Sequence, residues 1–417
     1  MNEASPSAVI LRPASRQPGF DFDVTIVGAG PVGLALAGWL ARRSVTRELK
    51  IALVDAREPE DSIADPRAIA VSHGSRMILE PLRWPADATA IERIHVSQRG
   101  HFGRTLIDHR EHGLPALGYV LRYGSIVHGL ADAVHATPVH WFRSTAAGAP
   151  VQELDGVTLP IETAGVARQL RTRILVNAEG GLFGDQKHAK SVSRAQDEDA
   201  GASGGSRDYG QTALVGTVTV SAPRPHVAWE RFTSQGPIAL LPMGGVRGAD
   251  YALVWCCAPD EAARRTQLSD EAFLRELDGA FGDRMGRFTH IKGRASFPLG
   301  LNTVDTLVNG HIVAIGNAAQ TLHPVAGQGL NLGLRDAHAL ADALSAGGPT
   351  PLALATFAQR RALDRRLTIG STDTLARLFT VDFAPLAVLR GLALTALEFV
   401  PPVKTALARQ MMFGQRR

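Results

Sequence analysis

The segment that decides the fold is VTIVGAGPVGLA, residues 24–35. An apolar, β-branched run ends in the pattern G-x-G-x-x-G, and a helical pattern of apolar residues begins at once. In such a turn Gly28 lets the chain leave the strand tightly, Gly30 leaves room for a pyrophosphate, and Gly33 lets the helix pack close to the strand. The helix would then point its free N–H groups and its positive end at the phosphates.

A second strand-like run, residues 51–54, ends at Asp55. The carboxylate of Asp55 is placed to accept hydrogen bonds from an adenosine ribose. An ordinary glycine turn would also explain residues 28–33, because a lone G-x-G-x-x-G is weak evidence. Since strand, helix and terminal acid occur in the right order and spacing, the sequence favours dinucleotide binding.

Composition narrows the class of protein. The 417-residue chain is long enough for two or three domains, and its net charge is +4 with 45% hydrophobic residues. The basic residues form no run with interleaved aromatics, which argues against a nucleic-acid partner. The only two cysteines, Cys256 and Cys257, are neighbours on a predicted strand and point to opposite faces. They suit neither an ordinary disulfide nor a metal pair, so we expect buried thiols in a reducing compartment.

Neither end of the chain predicts a membrane span. Residues 1–20 lack the continuous apolar core of a secretory signal and are predicted to be a flexible tail. The most apolar run, residues 383–403, is interrupted by Arg390, Glu398 and a proline pair. These features predict a cytoplasmic protein.

Periodicity predicts the other elements, with an antiparallel sheet in the middle of the chain and a loop at residues 195–210. Helices are predicted at residues 31–43, 72–79, 124–136 and 269–281. A hairpin is predicted at residues 91–107, and further strands at residues 157–163, 170–177, 212–220, 227–233, 238–243, 251–257 and 311–315.

The second informative segment is GNAAQTLHPVAGQGLNLG, residues 316–333. A predicted strand delivers Asn317, a proline-containing turn follows, and glycines precede a predicted helix at residues 329–345. The positive end of that helix would stabilise an isoalloxazine ring that becomes anionic on reduction. An ordinary capped loop is the alternative, but two glycine-rich helix starts in one chain favour a single long cofactor.

These segments occur in an order that resembles the single-component FAD-dependent aromatic hydroxylases, which are similar in fold to para-hydroxybenzoate hydroxylase. The likeness covers roughly residues 23–414 and rests first on residues 28–33, 65–70, 178–180 and 316–333. It is closest to the ubiquinone-biosynthesis branch, in particular the 2-polyprenyl-6-methoxyphenol hydroxylases. That closer likeness is carried by HVSQRGH (95–101), GPIALLPM (236–243), LVWC (253–256) and QRR (359–361).

The resemblance implies the fold class and domain organisation. The chain would be an α/β protein with a Rossmann-like FAD-binding domain, an inserted antiparallel β-sheet substrate domain and a C-terminal helical region. The FAD-binding domain would be discontinuous over residues 21–90, 110–195 and 297–350, the substrate domain would take residues 91–109 and 196–296, and the C-terminal helices residues 351–417.

The resemblance also implies FAD as the cofactor and a set of residues that bind it. Arg67 would lie against the flavin or its phosphates, and Asp55 would hold the ribose. Asn317 stands where the family usually has Asp and keeps a neutral acceptor oxygen. The pyrophosphate would lie at Gly28, Gly30, Pro31, Val32 and Gly33, and the flavin ring would be edged by Pro324, Gly327, Gln328, Gly329, Leu330 and Asn331.

One motif departs from the family pattern. Glu179 replaces an expected Asp, and Phe183 stands where Ser is common. In the family this motif contacts the pyrophosphates of FAD and NAD(P)H. The electron donor therefore stays open between NAD(P)H and another reductant.

The implied reaction is hydroxylation of a polyprenylated phenol in ubiquinone biosynthesis, with O₂ activated as a flavin C4a-hydroperoxide. The flavin would carry the chemistry, so no side chain is assigned a catalytic role and no metal is expected. The protein would orient the ring and exclude water. Apolar residues that would line the substrate pocket, with sheet core as an equal interpretation, are Leu240, Leu241, Pro242, Phe297, Pro298 and Leu299.

Alternatives remain for the C-terminal region and for the function. The apolar helical patterns at residues 375–379, 386–397 and 403–412 carry basic residues between them and would lie on the inner membrane surface, dock a partner or pack on the main body. The chain could instead be an FAD-binding scaffold in a quinone-biosynthesis complex, or it could hydroxylate a small soluble phenol.

Overall fold

The computed structural model describes residues 19–100, 103–180, 206–380 and 398–414. The predicted tail at residues 1–20 therefore lies almost wholly outside the described residues. Phe183 and the predicted helix at residues 386–397 lie outside them as well.

Helices and strands alternate in the first third of the chain, and strands dominate the middle. The helices are α1 (Pro31–Arg42), α2 (His73–Leu79), α3 (Tyr123–His135), α4 (Pro259–Thr266), α5 (Asp270–Phe281), α6 (Gln328–Gly347), α7 (Pro351–Thr380) and α8 (Pro401–Phe413). The first ten strands are β1 (Phe22–Val27), β2 (Ile51–Val54), β3 (Ala68–Ser72), β4 (Thr89–Ile91), β5 (Arg93–Gln98), β6 (Arg104–Asp108), β7 (Gly118–Arg122), β8 (His140–Phe142), β9 (Thr145–Ala147) and β10 (Val151–Gln152). The remaining ten are β11 (Val157–Thr163), β12 (Val166–Asn177), β13 (Ser206–Val220), β14 (Val227–Thr233), β15 (Gly236–Gly244), β16 (Asp250–Cys257), β17 (Phe288–Thr303), β18 (Val308–Asn309), β19 (Ile312–Ala314) and β20 (Gln320–Thr321).

Helices are present at the positions that periodicity predicts, and two of them begin at a serine N-cap. Ser72 is the N-cap of α2, and its side chain accepts a hydrogen bond from the Ser75 amide; Ser269 caps α5 in the same way. One prediction was wrong, because residues 206–210 of the predicted loop form the start of β13. Pairing with β17 supplies the hydrogen bonds that the local, turn-rich sequence does not predict.

A nine-stranded sheet forms the first layer. Its main order is β10-β11-β12-β1-β2-β8, and β19 adds beside β12. The strands β8, β2, β1, β12 and β19 run parallel. Val24 and Ile26 of β1 are fully buried and pack with Leu34 of α1 and Leu340 of α6. The carboxyl ends of the parallel strands thus meet at one edge, where ligands bind in folds of this type.

An eight-stranded sheet forms the second layer, in the order β20-β17-β13-β16-β15-β14-β5-β6. Its pairs are antiparallel except for β14 with β5. One face packs against α4 and α5 through a cluster that includes Trp255, Phe273 and Phe281. Cys256 and Cys257 of β16 are buried free thiols, as the sequence predicted.

A smaller sheet connects the layers, and one long strand passes a predicted domain boundary. The strands β3, β7 and β4 form a three-stranded sheet that packs beside the second layer, with Val120 and Ala228 in one apolar cluster. The strand β17 continues to Thr303, past residue 296, at which the predicted substrate domain ends. It pairs with β13 and β20, so its whole length belongs to the second layer.

The C-terminal helices are anchored by a buried ion network. Arg361 of α7 donates to Asp336 of α6 at 2.7 Å, and it also pairs with Asp364 at 2.7 Å. Arg335 binds the same Asp364 at 2.9 Å, and both carboxylates are 0% exposed. None of the helices in the described ranges is both long and apolar enough to cross a bilayer.

Candidate active site

A cleft of about 740 Å³ opens at the carboxyl edge of the parallel strands. Its near end is formed by the turn between β1 and α1 and by the residues that follow β2. Its far end reaches Phe297 of β17, Asn317 and Leu330. The cleft thus begins at the first glycine segment of the sequence and ends at the second.

The β1–α1 turn has the tight geometry that the glycines predict. Gly28 has φ +105°, and a Cβ atom there would lie 2.6 Å from the carbonyl oxygen of Ala178. A Cβ on Gly33 would overlap the carbonyl oxygen of Gly28. The close approach of helix and strand therefore depends on these two glycines.

Gly30 differs from Gly28 and Gly33, because packing within the protein does not require a glycine at this position. A Cβ at Gly30 would meet only the hydroxyl of Tyr123, at 3.6 Å, and the residue lines the cleft together with Pro31 and Val32. Gly30 is the N-cap of α1, supplies no side-chain cap, and the first turn has no acid. The helix end therefore faces the cleft with its N–H groups available to an anion.

Asp55 lies at the rim of the same turn. Its Oδ2 accepts from the Ala29 amide at 2.6 Å and its Oδ1 from the Arg57 amide at 2.8 Å. The contact with Ala29 holds the glycine loop against the end of β2, and the contact with Arg57 fixes the turn that follows β2. A carboxylate has about four acceptor positions, so Asp55 keeps capacity for the hydroxyl groups of a ribose.

Arg67 lies midway along the cleft. Its guanidinium pairs with Asp65 at 2.5–3.0 Å and lies 4.6 Å from the ring of Tyr123 and 6.0 Å from that of Phe297. Burial would raise the pKa of Asp65, but hydrogen bonds and charge from Arg67 outweigh it and hold that pKa below its usual value. Asp65 and Tyr123 were missed in the sequence analysis, although the Asp65-x-Arg67 spacing is a local signal for the ion pair.

A smaller cavity of about 220 Å³ adjoins the far end of the cleft. Both cavities are lined by Arg67, Phe297 and Asn317. The smaller one is walled by the face of β13, β16 and β17 that turns away from α5, and by Pro324 and Gly329. Its walls are largely apolar.

The six substrate-pocket candidates separate into two groups. Phe297, Pro298 and Leu299 line the small cavity. Leu240 is 0% exposed in the cluster beneath α5, so its side chain belongs to the sheet core. Leu241 packs near β3 and β7, and neither it nor Pro242 lines either cavity. The alternation of a strand explains why neighbouring candidates point different ways.

The second glycine segment has mixed roles. Gly327 is the N-cap of α6 with φ +58°, Leu330 lines the cleft, and a Cβ at Gly329 would project into open space. Gln328 donates to the carbonyl of Met411 in α8. Asn331 accepts from the Ser72 amide at 2.8 Å and donates to Ala70 and Gly327, so its side chain ties β3 to α6.

Glu179 lies at the exposed lip of the cleft, after β12. Its amide donates to the side chain of Asn177, and its carboxylate is available to a ligand at the surface. This position agrees with a contact to the cofactor's outer part.

His323 is a buried residue beside Pro324 that the sequence analysis did not single out. It is 1% exposed, its Nδ1 accepts from the Val325 amide at 3.2 Å, and its Nε2 therefore donates to Gln211 at 3.1 Å. Burial lowers the pKa of His323 to about 4, which keeps the ring neutral. The histidine ties the loop at the end of the cleft to β13 of the second sheet.

These observations test whether FAD fits. A helix N-terminus with open N–H groups, a carboxylate at the ribose position and a second glycine-capped helix all face one elongated cleft. Gly30 leaves space that a side chain would take from the ligand. The residues present therefore fit a long dinucleotide whose flat end lies beside the small apolar cavity.

Comparison with known proteins agrees with this geometry. Residues 21–361 match the family described as FAD binding domain. Ubiquinone hydroxylase UbiL of Rhodospirillum rubrum is 32% identical over 94% of this chain and 89% of its own length. The 3-demethoxyubiquinol 3-hydroxylase of Escherichia coli is 28% identical over 90% of this chain and 94% of its own length.

A solved structure supports the fold. The p-nitrophenol 4-monooxygenase PnpA of Pseudomonas putida superposes with a TM-score of 0.72 over 95% of this chain and 99% of its own, at 15% identity. The predicted α/β fold, the FAD cofactor and the monooxygenase class are confirmed.

Proposed function

The chain belongs to the FAD binding domain family of flavin monooxygenases, and from that premise we propose that it hydroxylates the ring of a polyprenylated phenol in ubiquinone biosynthesis. A 2-polyprenyl-6-methoxyphenol is the substrate type that we infer from the sequence. The names of two full-length relatives, a ubiquinone hydroxylase and a demethoxyubiquinol hydroxylase, support this class.

One observation carries the proposal: the cofactor cleft and the small apolar cavity share Arg67, Phe297 and Asn317. A flat cofactor end and an apolar ring would meet only at this junction. Bound FAD would supply the oxygen chemistry, and the chain supplies binding, orientation and a dry chamber.

The roles of the site residues follow from their positions. Gly28, Gly30 and Gly33 would admit the pyrophosphate at the start of α1, and Asp55 would accept from the ribose. Arg67, held rigid by Asp65, would place a positive charge beside the flavin. Gly327 and Gly329 would leave the N-terminus of α6 open to the ring.

The substrate ring would pack in the small cavity against Phe297, Pro298 and Leu299. Apolar walls exclude water, which would otherwise divert reduced cofactor and O₂ to hydrogen peroxide. We retain the division into FAD-binding, substrate and C-terminal parts as a proposal, with β17 crossing between the first two.

The test compares substrates on purified protein loaded with FAD. We expect hydroxylated product from short-chain prenyl methoxyphenols and much less from unprenylated phenols, with NADH, NADPH and chemically reduced flavin tried as donors. Equal turnover of simple phenols would favour a soluble substrate. Bound FAD with no product under any donor would favour the scaffold function.

We also propose a location at the cytoplasmic face of the inner membrane. Exposed apolar side chains support it: Phe399 is 79% exposed, and Val403 and Leu407 follow along one side of α8. Sedimentation with liposomes of wild-type protein and a Val403→Ser, Leu407→Ser variant tests this proposal. Recovery of both proteins in the supernatant would refute it and leave packing against a partner protein of a quinone-biosynthesis complex.

A further inference from the structure

A cluster of arginines lies on the second sheet, on the face that packs against α5 and away from the small cavity. The strand register places Arg104 of β6, Ser97 of β5 and Arg231 of β14 side by side on that face. Arg284, which follows α5, reaches the same place, because its guanidinium lies 3.1 Å from Nε2 of His95. Arg99 follows β5 at the hairpin turn.

Within the described residues, none of Arg99, Arg104, Arg231 and Arg284 forms an ion pair with a carboxylate. The charged groups that act on Arg231 are Arg284 and Arg99, so burial and these two cations lower the pKa of Arg231. The guanidinium of Arg231 lies 3.3 Å from the Ser97 hydroxyl and 5.8 Å from the ring of Phe281. The described part of the chain therefore concentrates positive charge here without a paired carboxylate.

Buried N–H donors lie at the same place. Arginine can only donate, so His95 accepts through Nε2 and carries its proton on Nδ1. That Nδ1 makes no hydrogen bond to another described residue, and His95 is 8% exposed with a hydrogen bond to its own main chain. The indole Nε1 of Trp229, whose ring lies 4.5 Å from that of His95, and the Nε of Arg231 are buried without a partner in the described chain.

A bound anion would accept hydrogen bonds from the unpaired donors and would also neutralise the unpaired cations. Each buried donor left unpaired costs stability. Arg231 is half-buried, whereas Arg99, Arg104 and Arg284 are exposed, so the like charges converge at the surface around one half-buried guanidinium group. A tetrahedral oxyanion offers several acceptor oxygens and two negative charges, which match a fork of guanidinium groups. We propose that His95, Trp229 and the four arginines form a binding site for a phosphate group, separate from the cofactor cleft.

This site is distinct from the place that FAD would fill. None of its six residues lines the large cleft or the small cavity. They lie on the sheet face opposite to Ala213 and Val254, which wall the small cavity. A phosphate bound here would therefore act on the substrate sheet and not on the flavin directly.

The first test is thermal unfolding of holoenzyme with FAD in excess, so that the cofactor site is filled. We expect inorganic phosphate or pyrophosphate, compared with chloride at equal ionic strength, to raise the melting temperature by about 2 °C or more. Arg231→Gln should abolish that rise. In chloride the melting temperature of the same variant should equal or exceed that of the wild type, because the substitution removes repulsion between cations.

The matched control is Arg275→Gln, which changes an exposed arginine on α5 that pairs with Glu271 outside the cluster. It should keep the full phosphate response. A wild type that does not respond to phosphate, or an Arg231→Gln variant that responds like the wild type, would overturn the proposal. Calorimetric titration of folded holoenzyme with phosphate gives a second readout that does not depend on unfolding.

The phosphate could come from a soluble compound or from a lipid head group. Flotation with phosphatidylglycerol vesicles, against phosphatidylcholine vesicles, distinguishes the two sources. Loss of vesicle binding in Arg231→Gln with the exposed face of α8 intact would assign the site to lipid. Calorimetric binding of free phosphate, with vesicle binding unchanged in the variant, would assign it to a soluble ligand.

Discussion

Glu230 of β14 carries a carboxyl group that the described chain leaves without a hydrogen bond or ion pair. Its neighbours across the strands are Ala239 and Val96, which offer no donor side chain. Burial raises the pKa of Glu230 from 4.5 to about 7. The folded protein therefore binds this proton more tightly than the unfolded chain does.

The sign of the pH dependence follows. Because the folded-state pKa lies above the unfolded value, stability falls as pH rises from 4.5 to about 7, and the penalty is complete above that range. We expect Glu230→Gln to raise the free energy of unfolding by about 1–3 kcal/mol at alkaline pH and to change it little below pH 4.5. Urea unfolding at several pH values measures this difference.

The control is Glu162→Gln on β11, an exposed glutamate. It should show no such pH-dependent gain. If Glu230→Gln gives the same change in stability at acidic and alkaline pH, the pKa of this carboxyl group does not differ between the folded and unfolded states, and the prediction is wrong.

Single residues also show what sequence could not predict. Gly28 and Gly33 were predictable, because a tight strand–helix turn constrains neighbours in the chain. Asn331 was not, since its side chain bonds Ser72 and Ala70 about 260 residues away. For Leu240 the sequence left pocket lining and sheet core as equal interpretations, because an apolar strand run does not reveal which side meets the cavity, and its side chain lies in the sheet core.

At the scale of elements, α1 can pack closely on β1 because Gly33 has no side chain. We expect Gly33→Ala to separate helix and strand, to cost about 1–3 kcal/mol and to lower the FAD content of purified protein, because the new Cβ would overlap the Gly28 carbonyl. Flavin absorbance per protein and thermal unfolding measure the two effects.

Gly279→Ala is the matched control inside α5. A Cβ there has no atom within 4 Å, so the change should stabilise the helix by up to about 1 kcal/mol and leave FAD content unchanged. Equal behaviour of the two variants would mean that the space beside Gly33 does not limit cofactor binding.

The elements were more predictable than the site. The helices α1, α2, α3 and α5 and the strands from β14 to β16 follow from local periodicity and caps. The strand β3 was missed, because the segment reads equally well as the lead into a capped helix, and its pairing with β7 decides the outcome. Arg67, directly before β3, owes its position in the cleft to that pairing.

At the scale of the whole molecule, the buried ion network ties the cofactor layer to the C-terminal helices. Arg361 is 6% exposed and binds both Asp336 and Asp364. We expect Arg361→Met to cost about 3–5 kcal/mol, because two buried carboxylates lose their shared partner. The exposed neighbour Arg360→Met should cost far less, and urea unfolding of both variants measures the difference. Similar losses in the two would show that the network contributes little.

One pairing described above has a mechanical consequence. The short strand β20 hydrogen-bonds to β17, so the loop that carries His323 and Pro324 starts as the last strand of the same sheet that holds Phe297. The loop with His323 and Pro324 and the strand with Phe297, which lie on two sides of the small cavity, therefore belong to one hydrogen-bonded sheet. When that sheet flexes, both surfaces move in concert, and we expect the gap between them to keep its width through thermal motion.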